Sequence, residues 1–145
     1  MLIVITGPPA AGKSSWIKAH AKPDDIVIDL DLMALAMAGP GADHHAHGDI
    51  LMRVVHRARF AALNEAYQHL DKVDVYVIHT QPSAKALAKY KRLEARIVTV
   101  DPGREIVMAR VKAMRQPEME RVVSRWYNSR RGQSRGVVFR PSRDW

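Results

Sequence analysis

Four short runs of apolar, largely β-branched residues punctuate the chain at 2–5 (LIVI), 26–30 (IVIDL), 73–78 (VDVYVI) and 96–100 (RIVTV). Each is the length of a strand, and the first is apolar throughout, as a strand buried on both faces requires. Helical patterns fill the intervals. Residues 14–20 follow a Gly-rich turn, and 31–38 form a short Ala/Leu/Met-rich segment. A long helix is predicted from an Asp49 cap to about Leu70, with Leu51, Val54, Val55, Ala58, Ala62, Ala66 and Leu70 on one side. Ser83 caps a helix reaching about Leu93. Asp101 and Pro102 supply a cap and a first-turn proline for the next helix, and Gln116-Pro117 interrupts it. A last helix covers about 118–128, and the Gly- and Pro-bearing stretch 39–49 (GPGADHHAHGD) reads as a loop. Strands alternating with helices imply right-handed βαβ units around one parallel sheet of about four strands, an α/β three-layer sandwich.

The length of 145 residues suits a single domain. The apolar run at the N-terminus is too short for a leader core or a membrane span, which predicts a soluble, cytoplasmic chain without a membrane partner. With no cysteine there is neither a disulfide framework nor a thiolate metal site. Charge changes the picture more. The chain carries net +8, and residues 103–145 hold 11 basic against 4 acidic side chains, so nearly all the excess lies in the C-terminal third. Such a segment is suited to phosphates, whether of a nucleotide or a nucleic acid, or to an acidic protein surface. The expected organisation is a domain over 1–128, with a lid at about 110–120, and a basic tail over 129–145.

The specific chemical signal is Gly7-Pro8-Pro9-Ala10-Ala11-Gly12-Lys13-Ser14, followed by Ser15. It fits G-x-x-x-x-G-K-[ST] and stands where the mechanism needs it, after a buried strand and before a helix. Backbone N–H groups of such a loop cradle phosphate oxygens, Lys13 reaches the outer phosphates and the Ser14 hydroxyl ligates Mg²⁺. The guanine-reading N-K-x-D is absent, which favours ATP over GTP. No strand ends in the Asp-Glu pair of motor ATPases. The third strand ends instead in His79, Thr80 and Gln81, candidates for contact with an acceptor or metal-bound water. Asp29 and Asp31 follow the second strand, at the edge where open α/β sheets bind ligands. If the strand continues through them, both carboxylates share one face, and either can take a proton from an attacking hydroxyl. His44, His45 and His47 are too cramped for a helical metal pair and read as a loop beside the acceptor. Arg53, Arg57 and Arg59 read as a solvated face of the long helix that can add to an acceptor groove.

Four stretches together, GPPAAGKSS, VIDLD, VYVIHTQPS and RIVTVDPGREIVMARVKAMRQPEMERVVSRWY, resemble small P-loop kinases of the bacteriophage polynucleotide-kinase type and their zeta-toxin-like relatives. The resemblance implies a P-loop NTPase sandwich with an Arg-bearing lid. It implies Asp31 as the general base, Asp29 as its alternative, and Arg115, with Arg110 one helix face earlier, as the lid arginine. The arginine that accompanies the base in that family falls at Ala34. Arg121 and Arg125 are further lid or acceptor candidates. The expected activity is Mg²⁺-dependent transfer of the ATP γ-phosphate to a hydroxyl, with a nucleic acid the leading acceptor. A nucleoside, nucleotide or other small molecule is the alternative. A second class is a non-kinase ATPase or switch that binds DNA or a protein.

Overall fold

Every side chain of β1 (Leu2–Thr6) is buried, because β1 is the middle strand of the sheet. The computed structural model describes residues 1–114 and 116–130, and the backbone of 137–139. After β1 come α1 (Lys13–His20), β2 (Ile26–Ile28), α2 (Leu30–Met37), α3 (Asp49–Ala66), β3 (Val75–Ile78) and α4 (Ala84–Arg92). They are followed by β4 (Arg96–Val100), α5 (Arg104–Ala113), α6 (Pro117–Ser129) and β5 (Val137–Phe139). The strand order is β2-β3-β1-β4-β5, with every pairing parallel.

Alternation along β1 makes the three layers. Ile3 and Ile5 face Trp16 and Ile17 of α1, Val107 and Val111 of α5, and Val123 of α6. Leu2 and Val4 face the other way, onto Leu63 and Ala66 of α3 and Tyr90 of α4. The α/β sandwich expected from the strand–helix alternation is therefore the observed fold. No helix of the described residues is long and apolar enough to cross a membrane.

Local departures from the sequence reading have simple causes. The sheet has a fifth strand, since residues 137–139, read as part of a basic tail, pair with β4. The second strand stops at Ile28, because the Asp29 side chain accepts the Asp31 N–H and starts α2. The long helix ends at Ala66 and tightens into a 3₁₀ turn over Tyr67–His69, and its cap is Gly48 rather than Asp49. Its buried side chains are Val55, Leu63 and Ala66, while Val54 is exposed. Ser83 caps α4 as expected, through the Ala86 N–H. Asp101 does not cap α5; Gly103 does, and the Asp101 carboxylate accepts the Gly103 N–H and the Tyr127 hydroxyl. Pro117 is the first residue of α6, so the break at Gln116-Pro117 is real.

One close contact fixes where the chain leaves the sheet. Gly7 has φ +142°, and a Cβ there would lie 2.2 Å from the Val100 carbonyl oxygen. Just below, the hydroxyls of Thr6 and Thr99 share a buried 2.9 Å hydrogen bond between β1 and β4. Gly7→Ala is expected to lose about 3 kcal/mol of stability, from the unfavourable φ and the displaced strand end together. Urea unfolding checks this, and a loss below about 1 kcal/mol would show that β4 can move aside.

Candidate functional site

The loop between β1 and α1 turns on two left-handed residues. Gly12 (φ +98°) and Ala10 (φ +58°) take left-handed conformations, which redirect successive N–H groups. The loop is anchored at its start, where the Gly7 N–H donates to the Thr80 carbonyl across to the end of β3 (3.3 Å). Its far end opens α1, whose first-turn N–H groups and macrodipole favour an anion. The Lys13 ammonium folds back to donate to the carbonyls of Gly7 (3.0 Å) and Pro8 (2.6 Å). Burial pulls its pKa down to about 8, against the opposing pull of Asp31 and then Asp29. A desolvated cation resting on two carbonyls is poised to exchange them for phosphate oxygens.

Both predicted carboxylates lie beside this loop, but in different roles. Asp29 is buried and fully engaged. Oδ1 accepts the Asp31 N–H (3.0 Å) and Oδ2 accepts the Ser14 hydroxyl (2.7 Å). Asp31 lies in the first turn of α2 and is exposed. The expectation that the pair shares a strand face fails, because the strand has already become a helix. The Ser14–Asp29 contact is a test of metal fit. A hydroxyl and a carboxylate oxygen within hydrogen-bonding distance form a hard, oxygen-only donor set, which suits Mg²⁺ completed by phosphate and water.

The third strand contributes main chain more than side chain. The Thr80 carbonyl accepts both the Gly7 N–H and the indole N–H of Trp126 (3.1 Å), so it ties the loop and α6 to β3. Gln81 reaches the Ser129 hydroxyl (2.8 Å) rather than the loop. His79 turns to the α4 side, where Nδ1 meets the Tyr90 hydroxyl at 2.7 Å. Burial, with the Arg59 charge second, holds His79 below the ordinary histidine value. Burial likewise pushes the Tyr90 phenol up to about 12, although Arg59 hydrogen-bonds it and works in the opposite direction. Arg59 also donates to the Ile78 carbonyl (3.1 Å). The sequence puts Arg59 on a solvated face and His79 at a strand end, but does not bring them together at Tyr90, and Arg59 is half-buried. A positive residue one helical turn above the buried Leu63 was the available signal.

On the lid side, Arg110 donates to the Ala10 carbonyl (3.0 Å), so α5 holds the phosphate loop directly. Arg115 lies outside the described residues. Arg121 and Arg125 are exposed on α6, away from the loop's own contacts. With Lys112 of α5 they line an open cleft of about 860 Å³ between the two helices. In the histidine loop, Asp43 accepts the N–H groups of His45 and Ala46. Among the described residues no cluster of His, Asp or Glu is arranged to hold a metal ion.

Two pH effects follow. A bound triphosphate favours the charged form of Lys13, so at pH 8 binding should take up about half a proton, and affinity should fall as pH rises further. Calorimetry of ATP binding in buffers of different ionisation enthalpy measures it, and zero uptake would mean that Lys13 is already fully protonated. His79 acts on stability. Its folded pKa lies below the unfolded value of 6.5, so below that pH the unfolded chain takes the proton first and stability falls. The thermal midpoint should drop between pH 7 and 5.5, and His79→Gln should flatten that slope; an unchanged slope would remove His79 as the cause.

Among known families, the model of an AAA domain, AAA_33, matches residues 2–131. No curated protein matches the chain. The match runs from β1 through the phosphate loop and α5 to the end of α6, which includes each of the loop and carboxylate contacts described above. With a parallel sandwich whose middle strand feeds a G-x-x-x-x-G-K-S loop, the chain belongs to this family of P-loop nucleotide-binding, kinase-like proteins.

Proposed function

We propose that the chain is a Mg²⁺-dependent kinase that transfers the γ-phosphate of ATP to a hydroxyl. The observation that carries this reading is the division of labour between the two carboxylates. Asp29 is consumed by Ser14 and the start of α2, whereas Asp31, two residues on, remains exposed and close enough to Lys13 to influence its charge. An ATPase needs a group to orient water. A carboxylate held at the open edge of the sheet instead suits a larger hydroxyl acceptor.

In this mechanism the loop N–H groups and Lys13 bind the triphosphate, and Ser14 with Asp29 would hold Mg²⁺. When bound, the ion offsets the charge of the phosphates. Asp31 orients the acceptor hydroxyl and takes its proton as the oxygen bonds to the γ-phosphorus. The bond from that phosphorus to the β–γ bridging oxygen breaks, and its electron pair leaves with ADP. The transition state is loose, so Asp31 acts by position as much as by basicity. Arg110, already on the loop, steadies the cradle, and Arg115 is the proposed lid cation that meets charge developing on the transferred group. A nucleic-acid acceptor draws support from the basic cleft formed by Lys112, Arg121 and Arg125.

Transfer of labelled γ-phosphate tests the proposal, with 5′-hydroxyl DNA and RNA, nucleosides, nucleotides and water offered as acceptors. Label should appear on an acceptor, and release of free phosphate alone would point to an ATPase or switch. Lys13→Ala should abolish transfer with the fold intact. Asp31→Asn should cut transfer by about 10²- to 10⁴-fold with ATP affinity nearly unchanged. Asp29→Asn should weaken Mg²⁺·ATP binding as well. The reverse pattern between the two variants would exchange their roles.

A further inference from the structure

Arg59 occupies a place that the sheet geometry defines closely. Main-chain groups along β3 alternate between its neighbours. The Asp74 carbonyl accepts from Ile26 of β2, while the N–H groups of Val75 and His79 donate to Met1 and Ile5 on the β1 side. By the same period of two, the Ile78 carbonyl points toward β2. The next rung would use the Leu30 N–H, but Leu30 already belongs to α2. Arg59 fills the vacancy from α3, with its Nη2 3.1 Å from the Ile78 oxygen. A guanidinium thereby sits at the C-terminal edge of the sheet, where β2 departs into the Asp29–Asp31 segment.

Its other surroundings do not neutralise it. The guanidinium has five donors, and among the described residues its partners are the Ile78 carbonyl and the Tyr90 hydroxyl. No carboxylate of the described residues lies within ion-pair distance of it. Burial, and then the Arg59 charge, lower the pKa of His79 beside it. A pre-oriented guanidinium with donors to spare and no carboxylate partner among the described residues is suited to take an anion. Position 34, one turn into α2, cannot supply a cation here: Ala34 is fully buried where α2 packs on α3.

We infer that Arg59 is the acceptor-side anion site, and that the acceptor carries an oxyanion, phosphate or carboxylate, close to the hydroxyl that Asp31 orients. This rests on the kinase reading and narrows it to anionic acceptors. The fork binds such a group through the N–H donors not used by Ile78 and Tyr90. Arg59 fixes the acceptor's place and takes no part in proton transfer.

The test compares paired acceptors that differ by one anionic group: a nucleoside against its 3′-monophosphate, and a hexitol against the corresponding aldonic acid. With ATP and Mg²⁺, the anionic member of at least one pair should have the higher kcat/KM by about 10- to 100-fold. The pair that discriminates tells phosphate from carboxylate. Arg59→Gln keeps a donor for Ile78 and loses the charge. It should bring the ratio close to one through KM of the anionic member, with the KM for ATP and the uncharged member's kcat/KM unchanged within about threefold. Arg59→Lys should restore part of the ratio. Equal use of both members by the unaltered protein, or equal losses for both in Arg59→Gln, would overturn the inference and leave Arg59 a cap for the strand. If no acceptor is labelled, the kinase reading fails, and calorimetry of the same pairs with a non-hydrolysable ATP analogue decides separately. Anion-selective binding lost in Arg59→Gln supports the site, and its absence overturns it.

Discussion

The contact between Gly7 and the Val100 carbonyl governs the rest of the site. A side chain has no room there, so the first residue after β1 is held against the end of β4 on one side and, through its N–H, against Thr80 at the end of β3 on the other. Three strand ends meet at one glycine. The loop that follows therefore begins from a fixed point on a rigid scaffold, which preorganised phosphate binding requires. Arg110 repeats the logic at the middle of the loop, holding the Ala10 carbonyl while Ala10 carries its left-handed φ. Trp126 extends it to α6 through the second bond on Thr80. α5, α6, the loop and the sheet edge thus share main-chain anchors, and a shift of α6 acts on the carbonyl that holds Gly7.

Asp29 shows how one buried carboxylate couples two elements. One oxygen starts α2 and the other holds the Ser14 hydroxyl. A buried charge needs such partners, since an unpaired one is strongly disfavoured. The consequence is positional. α2 begins three residues after Val27, and its first turn presents Asp31 to the open edge beside Lys13. Had β2 continued, Asp29 and Asp31 would be equivalent neighbours on one strand face. Capping makes them unequal, one buried and hydrogen-bonded through both oxygens, the other exposed.

Much of this was legible in the sequence because it rests on local chemistry. β-Branched runs mark strands whose partners bury both faces, and the G-x-x-x-x-G-K-S spacing has meaning only between a strand and a helix. Ser83 and Pro117 mark their helix starts through groups that act within three residues of themselves. Other features hide for physical reasons. Asp29 competes with the strand through its own side chain, so the apolar run IVIDL overstates β2. The stripe read along α3 includes Val54 and leaves out Leu63, whereas packing against the sheet buries Leu63 and leaves Val54 exposed. Thr80 acts through its carbonyl, a group every residue has. Val137–Phe139 is only three residues long and is set among arginines, so nothing in its own pattern separates an edge strand from a tail.

Arg59 belongs to this last class, and its case shows how a charge can be both structural and chemical. Its stem rises along α3 beside the core, in the way long basic side chains cover apolar surface while keeping the head polar. The head reaches the Ile78 carbonyl, which has no ladder partner because β2 stops early. The same capping event that exposes Asp31 therefore creates the vacancy that Arg59 fills. On the proposed reading, an anion bound there shares the sheet edge with Asp31 and the phosphate loop. The carboxylate cap on α2 thus sets both where Asp31 stands and which strand carbonyl is left for Arg59.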